Sequence, residues 1–173
     1  MVVLGLGSNI GDRLEYLRAA TQRLASLMTD MRFSAIVESP AMLPAGATAE
    51  HDHPYLNMAV AGTTDITPRE LLVAIKAIER EVGRVPRGFW GSREIDIDIL
   101  AMGTLTLQEE DLIIPHYGLL KRSFALIPLM QVAPNWRYPV PGEYYNQTAE
   151  QIVATLGYRL GNDLSDPGIS LHG

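Results

Sequence analysis

Arg93-Glu94-Ile95-Asp96-Ile97-Asp98-Ile99-Leu100 is the stretch that decides how the rest of the chain is read. In an extended strand side chains alternate, so the isoleucines share one face. Asp96 and Asp98 then project together from the other, roughly 6.6 Å apart at Cα. Aspartate is depleted from strands and neighbouring like charges repel, so such a segment needs compensation. An edge strand with its polar face in water would supply it; so would cations gathered over the acids.

Upstream of this strand, past a loop rich in Gly and Arg, Thr67-Pro68-Arg69-Glu70 has the form of a helix start. Thr67 caps, Pro68 suits the first helical position and Glu70 completes a capping box. Leu71, Ile75, Ile78 and Val82 form one apolar stripe, closed by Gly83. Further back, Tyr55 to Thr63 alternates as a strand, Leu43 to Pro54 is a long aperiodic loop, and Arg32 to Glu38 is a strand ended by Ser39-Pro40. Val2 to Leu6 reads as a buried strand running through Gly7-Ser8-Asn9 into a helix marked by Leu14, Leu17, Leu24 and Met28. The order β-α-β-β-α-β predicts an α+β, ferredoxin-like core with helices on one face of an antiparallel sheet. Downstream, turn signals at Gly103 lead to a short extended piece ending at Ile114-Pro115. Leu119 to Val132 reads as one additional helix and Thr148 to Leu156 as a short one with its own capping box at Gln151. From Gly161 the chain is polar and is expected to fray. No repeat or linker divides it, so residues 1–173 read as one domain, a core to about residue 135 and a tail over 136–173.

The chain has 173 residues, 47% of them hydrophobic, which suits a single buried core. It has no cysteine, which excludes disulfide frameworks, thiolate metal sites and thiol nucleophiles. The short apolar start lacks a basic lead and the length of a span, so a cytoplasmic protein is expected. A formal charge of −6 disfavours nucleic acid and anionic membranes as partners. Yet Arg80, Arg84, Arg87 and Arg93 crowd one window, with Lys121 and Arg122 further on, so a local anion pocket is compatible with an acidic chain. Small molecules are the expected partners, and a monomer or weak dimer the expected state.

The acids have telling company: Trp90-Gly91-Ser92-Arg93 just before them, His116 and Arg122 soon after. Few oxygen ligands suit Mg²⁺, which keeps waters and takes phosphate oxygens, while Arg offers forked donors to phosphate. Nothing resembles a Walker phosphate loop. The combination points to phosphoryl-type transfer on another scaffold.

Taken in order, Gly7-Ser8-Asn9, Tyr55-Leu56-Asn57, Trp90-Gly91, Arg93 to Leu100, Pro115-His116-Tyr117 and Arg122-Ser123-Phe124 resemble the 6-hydroxymethyl-7,8-dihydropterin pyrophosphokinase family. The resemblance runs from residue 2 to about residue 135. It implies transfer of diphosphate from Mg-ATP to the pterin hydroxymethyl group, releasing AMP, in folate synthesis. It further implies that Asp96 and Asp98 bind two Mg²⁺ ions, with Arg93 and Arg84 joining them in catalysis. Nucleotide contacts would come from Lys76, Glu79, Trp90, Arg93, Ile99, His116, Tyr117 and Arg122. Pterin contacts would come from Ser39, Pro40, Met42, Tyr55, Asn57, Trp90, Asp96 and Phe124, with Tyr55 and Phe124 as the stacking rings and Asn57 reading the heterocycle edge. Asp98 is a candidate acceptor for the hydroxyl proton.

Three residues depart from the family pattern: Phe89 replaces a common basic residue, Lys76 a neutral amide, and Asp111 a cation. All three bear on ATP affinity. His51-Asp52-His53 could ligate a metal, though a solvated loop is the favoured reading of that triplet. Taken alone, Tyr55 and Phe124 would be core residues and His116 a structural histidine. Two other readings compete: a dinucleotide-binding domain, suggested by Gly5-x-Gly7, Gly11 and Glu38, and a non-catalytic paralogue that keeps the fold.

Overall fold

The computed structural model describes residues 1–41, 53–86, 92–162 and 164–171. Its centre is β1 (Val2–Ser8), with β4 (Tyr55–Thr63) and β5 (Asp96–Met102) on either side, both antiparallel to it. The far edge of β4 carries β2 (Thr29–Phe33) and β3 (Val37–Ser39) one after the other. Since β1, β2 and β3 are each antiparallel to β4, the first two sequence strands run parallel with a third between them. This is the split βαβ arrangement of a ferredoxin-like core.

Helices α1 (Arg13–Leu24) and α2 (Pro68–Val82) share one face of the sheet, their Leu17, Leu24, Leu71 and Ile75 packing with Leu4, Met58, Ile97 and Ile99. Both starts follow from side-chain chemistry. Asp12 caps α1, and the Thr67–Glu70 capping box opens α2, which ends on left-handed Gly83 (φ 115°). The opposite face is covered by α3 (Ser123–Val132) and α4 (Ala149–Leu156), whose Leu126, Leu129 and Ile152, with Trp136 from the segment between them, pack with Val3, Ala59 and Ala101. The molecule is thus three layers, with the C-terminal helices supplying the third. A two-strand hairpin, β6 (Leu107–Gln108) and β7 (Ile113–Ile114), follows β5. Among the described residues no helix is long and apolar enough to cross a membrane.

Four expectations need correcting. The strand foreseen over Arg32 to Glu38 is two pieces, because the Ser34 hydroxyl takes the Ala59 amide (2.8 Å) in place of a backbone carbonyl, breaking the ladder. The helix foreseen over Leu119 to Val132 is a 3₁₀ turn (Leu119–Lys121) and then α3, because Arg122 between them is extended (φ −129°, ψ 99°). The tail does not fray as a whole: Ser165 exchanges two 2.9 Å backbone bonds with Glu38, and Leu171 is buried beside α1. A dinucleotide-binding domain is excluded, since Gly5 and Gly7 lie inside an antiparallel strand and not in a turn before a helix.

Candidate active site

The face of the sheet that meets α3 is apolar at one end and polar at the other. Register sets the polar end. Asn57 on β4 pairs with Gly7 on β1, and Gly7 pairs with Asp96 on β5; one step along, Ala59, Gly5 and Asp98 form a second row. The glycines make the floor of a cleft of about 560 Å³ that Asp96, Asp98, Tyr55 and Asn57 line. A Cβ on Gly7 would stand 3.1 Å from Asn57 Oδ1 and 3.4 Å from the Tyr55 ring, so the bare backbone lets both side chains lie across the strand. Past Asp98, Leu100 is the extra residue of a bulge, and its side chain lies over Gly5.

Because β5 is the edge strand, its outward backbone groups need partners, and α2 provides them. Ile97 N–H donates to Glu79 Oε1 (2.7 Å), and Lys76 Nζ donates to Ile97 O (3.0 Å) and to Glu79 Oε1 (2.7 Å). Glu79 is only 2% exposed, and its other oxygen accepts from Arg84. Arg84 Nη1 also donates to Asp96 Oδ1 (2.7 Å), while Arg93 Nη1 donates to Asp96 Oδ2 (2.6 Å). The compensation that the Asp96–Asp98 pair demanded is therefore concentrated on one member. Burial raises the Asp96 pKa, but the charges of Arg93, Lys76 and Arg84 outweigh it and hold the carboxyl below the usual range. Burial, and then the charge of Asp96, push Asp98 above that range.

Across from Asp98 stands His116, Nε2 to Oδ2 at 3.8 Å. Gly118 N–H donates to His116 Nδ1 (3.1 Å), which leaves the proton on Nε2, facing Asp98. Burial, reinforced by Arg122, lowers the His116 pKa to about 4, so the ring is neutral near pH 7. The Arg122 guanidinium lies 5.5 Å from the Tyr117 ring centre and 5.9 Å from that of Phe124. The extended backbone at Arg122 gives it this direction, and Gly118 leaves the room, for a Cβ there would be 2.8 Å from Arg122 Nε. At the other end of the cleft, Asn57 Nδ2 donates to Ser39 Oγ (2.9 Å), which turns the amide and fixes its oxygen opposite.

The family described as 7,8-dihydro-6-hydroxymethylpterin-pyrophosphokinase (HPPK) matches residues 3–134. The chain belongs to this family. It is 40% identical over 139 residues to the 2-amino-4-hydroxy-6-hydroxymethyldihydropteridine pyrophosphokinase of Aquifex aeolicus, covering 80% of this chain and 84% of that protein. It is 34% identical to the Synechocystis protein of the same name, over 99% of this chain and 83% of that one. The folate synthesis bifunctional protein of Chlamydia caviae is 37% identical over 90% of this chain, which spans 35% of that longer protein. A crystal structure of wild-type Plasmodium falciparum HPPK-DHPS shares the fold, with a TM-score of 0.63 at 17% identity, over 89% of this chain and 44% of that one.

As a family member the chain can be judged residue by residue. Of the residues expected in the site, Asp96, Asp98, Arg93, Lys76, Ile99, His116, Tyr117, Arg122, Ser39, Pro40, Tyr55, Asn57 and Phe124 all line the one cleft. Glu79 and Arg84 stand behind it, holding Ile97 and Asp96. Met42, Trp90 and Phe89 lie outside the described residues, as do His51 and Asp52. Among the described residues no cluster of three metal-ligating side chains exists. Two oxygen donors on one face, opposite glycines that leave room for water and phosphate oxygens, nevertheless suit Mg²⁺, which needs few protein ligands. Asp111 does not stand as bare negative charge: Arg69 Nη1 donates to both of its oxygens at 2.8 Å. Lys76 is engaged with Glu79 and the Ile97 carbonyl.

Sequence reasoning did not find the work of Asn9. Its Oδ1 accepts the Arg93 amide (2.7 Å), its own amide donates to Arg93 O (3.1 Å), and its Nδ2 donates to His53 O (3.2 Å). One side chain thus pins the backbone of Arg93 to the end of β1 and to the approach to β4. A side-chain amide directly after the last residues of a buried strand was the available signal, since such a residue has four hydrogen-bonding sites to fill.

Proposed function

We propose that this cleft binds ATP beside Asp96, Asp98 and the cationic side chains, and a reduced pterin beside Tyr55, Asn57 and Phe124. Diphosphate would pass between them directly. The chain is a pyrophosphokinase of folate biosynthesis by family, with ATP as co-substrate and Mg-dependent catalysis. The residue roles are our own reading.

One observation carries it: Asn57, Gly7 and Asp96 form a single row across three neighbouring strands. With strands roughly 4.8 Å apart, the residue suited to the heterocycle and the acid suited to the metal are separated by roughly 10 Å. That is room for a flat ring, its hydroxymethyl arm and a phosphate.

Tyr55 and Phe124 would sandwich the ring, and Asn57, oriented by Ser39, would pair with its edge. Pro40 and Met42 border this end in sequence. On the nucleotide side, Ile97 spends its edge N–H and C=O on Glu79 and Lys76. By the two-residue repeat of a strand, Ile99 directs its own pair the same way, with Leu72 and Ile113 lining the cleft nearby. An adenine edge fits such a slot. Arg93, His116, Tyr117 and Arg122 would hold the phosphates, and Trp90 is a further nucleotide contact by sequence alone.

Two Mg²⁺ ions at Asp96 and Asp98 would neutralise phosphate charge and hold the triphosphate in line for displacement. The pterin hydroxymethyl oxygen attacks the β-phosphorus, its proton passing to Asp98, which lines the cleft one row from Asn57 and Asp96. The bond between the β-phosphorus and the oxygen bridging to the α-phosphate breaks, and AMP leaves. Arg93, which lines the cleft and is braced on Asp96, would face the charge that builds on the transferred group, while Arg84 holds Asp96 from behind.

Incubation with ATP, Mg²⁺ and 6-hydroxymethyl-7,8-dihydropterin should release AMP and not ADP. Asp96→Ala and Asp98→Ala should each lower turnover at least 100-fold with the circular dichroism spectrum unchanged. Release of ADP, or near-normal rates in both variants, would refute the reading.

A further inference from the structure

The C-terminal segment lies beyond residues 3–134, the stretch matched to the family, yet it is built into the back of the heterocycle end of the cleft. Three contacts define its path. The Tyr158 hydroxyl donates to the Leu120 carbonyl (2.9 Å). Leu164 packs in a small cluster with Val37 of β3 and Ile127 of α3, against which Phe124 and Tyr158 also rest. Ser165 then pairs with Glu38, donating to its carbonyl and accepting from its amide, both at 2.9 Å. The chain ends its described course at α1, where Leu171 is buried and its carbonyl accepts from Arg18 Nε (2.8 Å).

These contacts fall on residues adjoining those that meet the cleft. Glu38 precedes Ser39, whose hydroxyl accepts from Asn57, and β3 is only three residues long. An edge strand so short is held by β4 on one side and by Ser165 on the other, with Arg13 Nη1 donating to the Glu38 carboxylate (2.9 Å). Leu164 at the same time wedges between β3 and the first turn of α3, which carries Phe124. The segment therefore touches both halves of the ring site from behind while leaving the Asp96 side of the sheet alone.

We infer that Leu164 and Ser165 are positioning residues for the pterin: the tail acts as a strap that fixes Ser39, and through it Asn57, at the correct distance from Phe124. This rests on the assignment of Asn57 and Phe124 to the heterocycle. A strap that merely covers an exposed edge would contribute to stability alone. One that sets the ring site must also govern affinity for the pterin without changing affinity for ATP.

The test uses the full chain with Ser165→Pro, which removes the amide donated to Glu38, and Leu164→Ala, which empties the wedge, beside Leu164→Met and Asn57→Ala. Loss of a hydrogen bond's worth of positioning corresponds to a KM for the pterin raised about fivefold in the first two, with the KM for ATP unchanged. Leu164→Met should restore it, since it conserves volume. Should Ser165→Pro fail to fold, Leu164→Ala carries the decision. A lower Tm with both KM values unchanged, or equal rises in both, overturns the strap, provided Asn57→Ala itself raises the pterin KM. If Asn57→Ala leaves the pterin KM unaltered, the ring-site assignment falls and the strap with it.

Discussion

The Glu79 carboxylate accepts the amide hydrogen of Ile97 at 2.7 Å, so a helix side chain stands where another strand would otherwise pair. Through the same carboxylate α2 reaches Arg84, and through Arg84 it reaches Asp96. A buried acid thus fixes both the edge of the sheet and a cation bound to Asp96.

Glu79→Ala should destabilise the fold by about 1–3 kcal/mol, the cost of orphaning the buried Ile97 amide, while half-exposed Lys76 and Arg84 recover water. Glu79→Gln keeps an oxygen for that amide and should lose less. Urea unfolding ranks the three proteins, and an alanine variant as stable as the parent would deny Glu79 this role.

Gly7→Ala should leave folding intact but act on the pterin. The new Cβ would press on Asn57 Oδ1 at 3.1 Å, and a small displacement of a recognising group can cost about tenfold or more. Steady-state kinetics should show the pterin KM rising by that order with the ATP KM little changed. Equal effects on both substrates would place the groove differently.

Gly62→Ala should do the reverse. At the far end of β4 its Cβ would meet Met28 Cε at 2.5 Å and the Thr29 carbonyl oxygen at 2.7 Å. Backbone cannot retreat as a side chain can, so a loss of about 1–3 kcal/mol is expected. Calorimetry should record a lower Tm while kcat and both KM values hold. An unchanged Tm would mean that β2 gives way freely.

These contrasts also mark how far the sequence could be read. The helix from Pro68 to Val82 was legible in full, because its cap, stripe and terminating glycine are all local. The alternation from Asp96 onward placed both carboxylates on one face for the same reason. What escaped depended on partners distant in sequence. The break at Ser34 exists only because its hydroxyl meets Ala59, and the bend at Arg122 reflects packing of the following turn against the sheet. The tail looked polar and idle because many of its anchors are its own backbone groups, bonded to the Glu38 backbone and the Arg18 side chain, which leave no mark on composition. In the site, the acids and rings were visible as types. The glycine floor between them, and the pinning of Arg93 by Asn9, needed the register of three strands.

On the proposed mechanism Asp96 and Asp98 grip the metal that carries the nucleotide. A crystal structure with Mg²⁺, a non-hydrolysable ATP analogue and the pterin would show whether they do. The expected result is oxygens of both carboxylates about 2.1 Å from magnesium, with the ring between Tyr55 and Phe124. Asp96 still bound only to Arg84 and Arg93, with metal and phosphates away from both carboxylates, would contradict it.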